Sequence, residues 1–116
     1  MKFYLISLLV RKFKPAISGM NYIIKDKSIM IQFFIGFITI LLSLFLRFKV
    51  FELILVLFLI SFIIALEIIN TAIENLCDLY SLEYNERIKK IKDIMSAVIL
   101  FSGLIAVIIF ILLIIY

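Results

Sequence analysis

The residues Ile94 to Tyr116, IMSAVILFSGLIAVIIFILLIIY, form a run of 23 residues without a charged side chain. An α-helix rises about 1.5 Å per residue, so a run of this length crosses the roughly 30 Å hydrocarbon core of a bilayer. Lipid offers the backbone no hydrogen-bond partner, and a single apolar run that spans it must therefore be helical. This stretch predicts a transmembrane helix over residues 94–116.

Two earlier segments have the same character. Ser28 to Leu46 contains 19 residues without a charge, and the run from Leu53 through Leu66 is also uncharged before polar residues begin. These runs predict an all-α integral membrane protein with three transmembrane helices. The expected organisation is one domain over 1–116, with an interfacial helix at 1–27, spans at 28–46, 53–77 and 94–116, and a connector at 78–93.

The first 27 residues predict an amphipathic helix at the membrane surface. A short apolar stretch from Phe3 to Val10 precedes Arg11, Lys12 and Lys14. The stretch is short and no small-residue cleavage site follows it, which argues against a signal peptide. Basic side chains on such a helix extend to lipid headgroups while its apolar face enters the bilayer.

Composition excludes several classes of protein. With 66% hydrophobic and 17% charged residues, a soluble domain of 116 residues could not bury its apolar surface. One cysteine and no histidine exclude a disulfide framework, a cysteine metal cluster and histidine-based catalysis. The net charge of +4 comes from basic residues that flank the spans, and they do not form the stripe typical of nucleic-acid binding. The three glycines form no glycine-rich phosphate loop.

The distribution of lysine and arginine predicts the orientation. Residues 1–27 contain six of them, the first loop two, the second connector four, and the last span none. Positively charged loops stay in the cytoplasm. We therefore expect the N-terminus and the second connector to be cytoplasmic, and the first loop and the C-terminus to be outside.

The chemistry is concentrated at the end of the second span. Glu67, Asn70, Glu74 and Asp78 are separated by three, four and four residues, which places them on one helical face. A carboxylate at that depth is costly unless it is paired, solvated or bound to a metal. A wet helix end would explain Asp78 alone, but it does not explain two acids and an amide in register. Their oxygen atoms suit Mg²⁺.

A second charged cluster precedes the last span. It runs from Glu83 to Arg87 and continues to Lys92 and Asp93. By charge alone, this cluster is typical of a solvated turn. Lys92, however, is expected at the membrane surface on the same side as Glu67, where a lysine can neutralise phosphate oxygens.

The run ExxNTAIExxxD from Glu67 to Asp78, followed by Glu83-Tyr84 and Lys92-Asp93, resembles the signature of the prokaryotic diacylglycerol kinase family. This family includes the undecaprenol kinases. The resemblance implies a homotrimer in the bacterial inner membrane, with active sites between neighbouring subunits at the membrane surface. It also implies transfer of the γ-phosphate of Mg-ATP to a lipid hydroxyl.

The resemblance also implies roles for individual residues. Glu67 would be the general base that takes the proton from the lipid alcohol, and Glu74 would bind the metal. The remaining motif positions would support the base or bind the nucleotide: Asn70, Glu83, Lys92 and Asp93. The residues that contact the lipid are not indicated. The acceptor stays open between diacylglycerol, which gives phosphatidic acid and is the assignment made here, and undecaprenol.

The sequence departs from the family pattern at one important position. Lys27 stands where the family usually has a second metal-binding glutamate, and we expect the adjacent Asp26 to take that role. Asn85 and Met95 replace a frequent histidine and a small residue. A weak or non-catalytic relative is therefore an alternative to an active kinase. A small transporter is a third possibility, because intramembrane acids often mark ion paths.

Overall fold

The computed structural model describes all residues, 1–116, and contains four α-helices and no strand. The helices are α1 (Lys2–Lys25), α2 (Lys27–Phe45), α3 (Val50–Tyr80) and α4 (Glu86–Ile115). The last three are long and apolar enough to cross a membrane. The predicted fold class, an all-α protein with three spans after an N-terminal helix, is confirmed.

Asp26 is the single residue between α1 and α2. Its backbone is extended, with φ −85° and ψ 122°. Its carboxylate accepts a hydrogen bond of 3.0 Å from the backbone N–H of Ile29, one of the donors that the start of a helix leaves free. The cap ends one helix and starts the next, so α1 and α2 can run in different directions.

The turn between α2 and α3 depends on a left-handed residue. Arg47 has φ 59°, a conformation usually taken by glycine after a helix. The N–H of Phe48 donates to the Ser43 carbonyl, and that of Arg47 to the Leu44 carbonyl, both at 3.1 Å. The Phe48 ring then packs on Phe110 of α4, with ring centroids 5.7 Å apart. This contact joins the α2–α3 turn to α4.

Two of the helices are longer than the hydrocarbon core of a bilayer is thick. α3 has 31 residues and α4 has 30. At 1.5 Å per residue each is about 45 Å long, against a hydrocarbon core of roughly 30 Å. Only residues 81–85 of the connector are non-helical, and Asn85 caps α4 by accepting hydrogen bonds from the N–H groups of Arg87 and Ile88. The polar ends of α3 and α4 therefore extend together beyond the apolar spans.

The three long helices enclose an apolar groove of about 470 Å³, in which 12 of 16 lining residues are hydrophobic. Only 8 of 116 residues are buried, so most apolar side chains are left to face lipid or other subunits. Gly36 is one of the buried residues, and an added Cβ there would lie 2.6 Å from Cγ2 of Ile60. Gly103 in α4, by contrast, has nothing within 4 Å of an added Cβ. The close contact between helices is therefore at Gly36.

We predict that Gly36→Ala destabilises the protein by about 1–3 kcal/mol, because the β-branched Ile60 cannot rotate away from the new methyl group. Gly103→Ala is the matched control and should leave stability unchanged or slightly higher. The measurement is the thermal unfolding of both variants in one detergent. Adding Ile60→Ala to Gly36→Ala should restore part of the loss. Equal stability of the two single variants would contradict this packing.

Candidate active site

The polar face of α3 is built around two buried side chains. Glu67 and Asn70 are only 9% and 8% exposed, although both are polar. The amide Nδ2 of Asn70 donates a hydrogen bond of 3.2 Å to Oε1 of Glu74, one turn further along the helix. The structure therefore brings the three residues Glu67, Asn70 and Glu74 together on one face, as their spacing predicts.

The side-chain oxygen of Asn70 has no hydrogen-bond partner. Its Oδ1 atom is buried and accepts no hydrogen bond within the chain. A buried acceptor without a partner costs about 1–3 kcal/mol. The bond to Glu74 fixes the orientation of the amide, so this oxygen cannot be exchanged for the donor nitrogen without losing that bond. Asn70 can therefore orient Glu74 while its own oxygen remains available to a donor from outside the chain.

Asp26 belongs to the same electrostatic environment. The negative charges of Glu74 and Asp26 both oppose the charge of Glu67. Asp26 comes from the junction of α1 and α2, whereas the two glutamates come from α3. One oxygen of Asp26 already caps α2, which leaves its second oxygen free. A cation among these three acids would reduce their mutual repulsion.

The donor set fits a hard, oxygen-binding cation in part. No three acidic or cysteine side chains converge closely enough to hold a metal by themselves. Mg²⁺ does not require such a cage, since it is usually bound by one or two carboxylates together with waters and substrate phosphates. Glu74 and the free oxygen of Asp26 are of the type that such a site needs. The remaining ligands would come from outside this chain.

One of the two ion pairs formed by α4 is not indicated by the sequence. Lys92 donates a hydrogen bond of 3.0 Å to Asp78 of α3, whereas Asp93 pairs with Lys89 of its own helix at 2.7 Å. The hydrogen bond to Asp78 raises the pKa of Lys92, which lies before the apolar span. Lys92 is thus held as a cation on the side of α4 that faces α3, next to the helix that carries Glu67.

A polar cleft lies at the start of α4. Its volume is about 460 Å³, and Asp93 is the only site residue expected from the sequence that lines it. Lys89 and Lys90 also line the cleft, and sequence reasoning did not single them out. The only indication in the sequence was the i, i+4 spacing of Lys89 and Asp93, which is common on solvated helices and does not identify a binding site.

Glu83 lies in the turn, where its backbone N–H donates to Ser81 and its carboxylate makes no hydrogen bond.

The profile of the family described as prokaryotic diacylglycerol kinase matches residues 14–114, nearly the whole chain. The chain belongs to the prokaryotic diacylglycerol kinase family. Comparison with curated proteins finds no match. Membership implies a membrane-bound lipid kinase, that is, a phosphotransferase that uses a nucleotide co-substrate and usually a divalent metal. The matched residues include both the acidic face of α3 and the charged start of α4.

Variants of the Asp78–Lys92 pair can distinguish a structural role of Lys92 from a role in nucleotide binding. Lys92→Gln breaks the pair, whereas the double exchange Asp78→Lys with Lys92→Asp restores it in reverse. Both side chains are substantially exposed, so we predict little change in thermal stability for either variant. If Lys92 binds nucleotide phosphates, both variants should raise the KM for ATP about tenfold or more, at roughly 1.5–3 kcal/mol for a hydrogen bond to a charged group.

Recovery of the KM for ATP in the double exchange would contradict a role in phosphate binding. It would show instead that Lys92 serves only to join α3 to α4. Arg87→Gln is the matched control, because it removes a positive charge from the same helix outside the polar cleft and without touching the pair.

Proposed function

We propose that this protein transfers the γ-phosphate of ATP to the hydroxyl group of diacylglycerol and so forms phosphatidic acid. The observation that carries the proposal is the buried pair Glu67 and Asn70, with Asn70 bonded to Glu74, at the end of a lipid-spanning helix. A lipid alcohol can reach this position while its acyl chains stay in the bilayer. Undecaprenol, which would give undecaprenyl phosphate, is the alternative acceptor.

Glu67 acts as the general base in this proposal. Its carboxylate accepts the proton of the lipid hydroxyl as the oxygen attacks the γ-phosphorus. The bond between that phosphorus and the bridging oxygen to the β-phosphate breaks, and ADP leaves with the electron pair. Asn70 supports this step, because its buried Oδ1 is free to receive a donor and its amide holds Glu74 in place. General-base assistance of this kind typically contributes about 10²–10⁴-fold.

Glu74 and Asp26 would hold Mg²⁺ together with the phosphates of ATP. The metal, when bound, neutralises charge on the transferring phosphoryl group. The nucleotide would be bound by residues from α3, the turn and α4: Asn70, Glu83, Lys92 and Asp93. Support comes from the cation that Asp78 holds beside α3 and from the polar cleft at Asp93.

We further propose a homotrimer in the bacterial inner membrane, with the N-terminus and the second connector in the cytoplasm. Support for an assembly comes from the acidic set, because the acids of one chain do not converge closely enough to hold a metal by themselves. An active site shared between subunits would add ligands to the incomplete acidic set. The domain assignment proposed for the chain is unchanged: a single kinase domain over 1–116 with spans at 28–46, 53–77 and 94–116.

The test is transfer of ³²P from γ-labelled Mg-ATP to diacylglycerol in mixed micelles. Wild type should give labelled phosphatidic acid, and Glu67→Gln should lower the rate roughly 10²–10⁴-fold. Glu52→Gln is the matched control, since it removes an acid from the first turn of the same helix, far from the site. Its rate should equal that of the wild type.

Two results would overturn parts of the proposal. Equal loss in Glu67→Gln and Glu52→Gln would show that Glu67 has no special role. Labelled undecaprenyl phosphate, with no labelled phosphatidic acid when each lipid is supplied alone, would reassign the acceptor. Thin-layer chromatography of the product separates these cases.

A catalytically weak relative is the second candidate, and Lys27 favours it. The lysine stands at the first position of α2, and Asp26 beside it is partly committed to capping that helix. We predict that Lys27→Glu raises the rate and lowers the Mg²⁺ concentration for half-maximal activity, because it adds a carboxylate next to Asp26. Lys12→Glu reverses the same charge in α1, far along the chain from Asp26, and serves as the control. An unchanged Mg²⁺ requirement in Lys27→Glu would indicate that Asp26 already suffices.

A further inference from the structure

Helix α1 carries an unusual charge distribution. It has 24 residues and contains Lys2, Arg11, Lys12, Lys14 and Lys25 but no acidic residue. None of its residues is buried. Neither the phosphoryl-transfer chemistry nor the packing of the three long helices explains why this helix is so strongly basic.

Six polar residues of α1 form one narrow face, whereas Lys2 and Lys12 lie on the other side of the helix. The separations of four, three, four, three and four residues between the six place them within an arc of about 80°, at 100° per residue. We call this the basic face of α1, and it consists of Ser7, Arg11, Lys14, Ser18, Asn21 and Lys25. The opposite side presents Leu9, Phe13 and Met20, each more than half exposed. A helix of this kind lies in the plane of the membrane interface, with its polar side at headgroup level.

Pro15 fits this placement. Proline has no N–H, so it cannot donate to the carbonyl of Arg11, one turn earlier in α1. A carbonyl without its helical partner is costly in hydrocarbon but is satisfied where water is available. Arg11 belongs to the basic face, so the free carbonyl lies on the side of the helix that the interface keeps wet.

We propose that the basic face of α1 is a binding surface for anionic phospholipid headgroups, separate from the phosphoryl-transfer site. A zwitterionic surface has no net charge to attract these cations, whereas an anionic surface attracts each nearby lysine or arginine. A second copy of α1 is not a suitable occupant, because two helices with this charge repel each other. The nearest acid along the chain, Asp26, already accepts a hydrogen bond from α2.

The experiment measures lipid association directly and needs neither ATP nor catalysis. The full-length protein is reconstituted in phosphatidylcholine vesicles that contain a trace of spin-labelled phosphatidylglycerol or spin-labelled phosphatidylcholine. Electron paramagnetic resonance gives the fraction of each label that the protein immobilises. We expect the wild type to prefer phosphatidylglycerol, and the preference to decrease as salt is added.

The variant Arg11→Gln with Lys14→Gln should reduce this preference at least about fivefold, the effect expected for one basic residue near an anionic surface. The control is Arg47→Gln with Lys49→Gln, which also removes one arginine and one lysine but at the α2–α3 turn. It should reduce the preference less, because these two residues stand in a short turn and not on a continuous basic face. Arg11→Lys with Lys14→Arg should keep the preference, which excludes a general defect of α1.

Three results would overturn the proposal: no preference for phosphatidylglycerol in the wild type, an unchanged preference in Arg11→Gln with Lys14→Gln, or an equal loss in the two double variants. If Arg11→Gln with Lys14→Gln instead changed the oligomeric mass in detergent and left lipid selectivity intact, the basic face would be a protein contact. Because no step depends on kinase activity, failure here is distinguishable from failure of the proposed function.

Discussion

Glu67 directly follows the uncharged part of α3, and only 9% of its surface is exposed. A carboxylate in that place is stable only beside hydrogen-bond donors, a cation or water, since transfer of an isolated charge into an apolar region costs several kcal/mol. The same helix turn contains a second buried polar residue, Asn70, whose amide is already engaged by Glu74. The polar face is therefore under-satisfied within one chain, and in the proposed function substrate and metal would complete it.

The lengths of the helices place this face where a lipid kinase needs it. α3 and α4 both continue past the apolar spans, and the ion pair between Asp78 and Lys92 joins their polar ends. The acidic face of α3 consequently lies between an apolar region below and a charged, water-accessible region above. A lipid alcohol and a nucleotide can meet at such a boundary without either one leaving its preferred solvent. The basic face of α1 would add a preference for anionic headgroups at the same surface.

The sequence was a reliable guide wherever one element determined the outcome. Uncharged runs predicted the three spans, because each must satisfy its own backbone hydrogen bonds in lipid. Helical spacing brought Glu67, Asn70 and Glu74 together, because the three residues share a single helix. The contact between Gly36 and Ile60 was not predictable, since it depends on how α2 crosses α3. Gly103, the glycine of the last span, lines the open groove and makes no such contact.

The partner of Lys92 was also beyond prediction. Lys92 and Asp93 are adjacent in sequence, and the resemblance suggests that they act together on the nucleotide. In the structure Lys92 pairs with Asp78 of α3, whereas Asp93 pairs with Lys89 of its own helix. The path of residues 81–85 determines the first of these pairs. Asp26 was expected to bind the metal, and its role as the N-terminal cap of α2 was not predicted. Pairings across a turn depend on geometry, whereas pairings within a helix depend on spacing alone.

Chemical modification by a hydrophobic carbodiimide tests the central claim most directly, because the reagent enters lipid and reacts with carboxyl groups in apolar surroundings. The account predicts that inactivation of the kinase parallels labelling of Glu67, identified by peptide mass spectrometry, and that Mg-ATP together with the lipid acceptor slows both. Inactivation that follows labelling of another acid, or complete labelling of Glu67 with activity retained, would contradict the account.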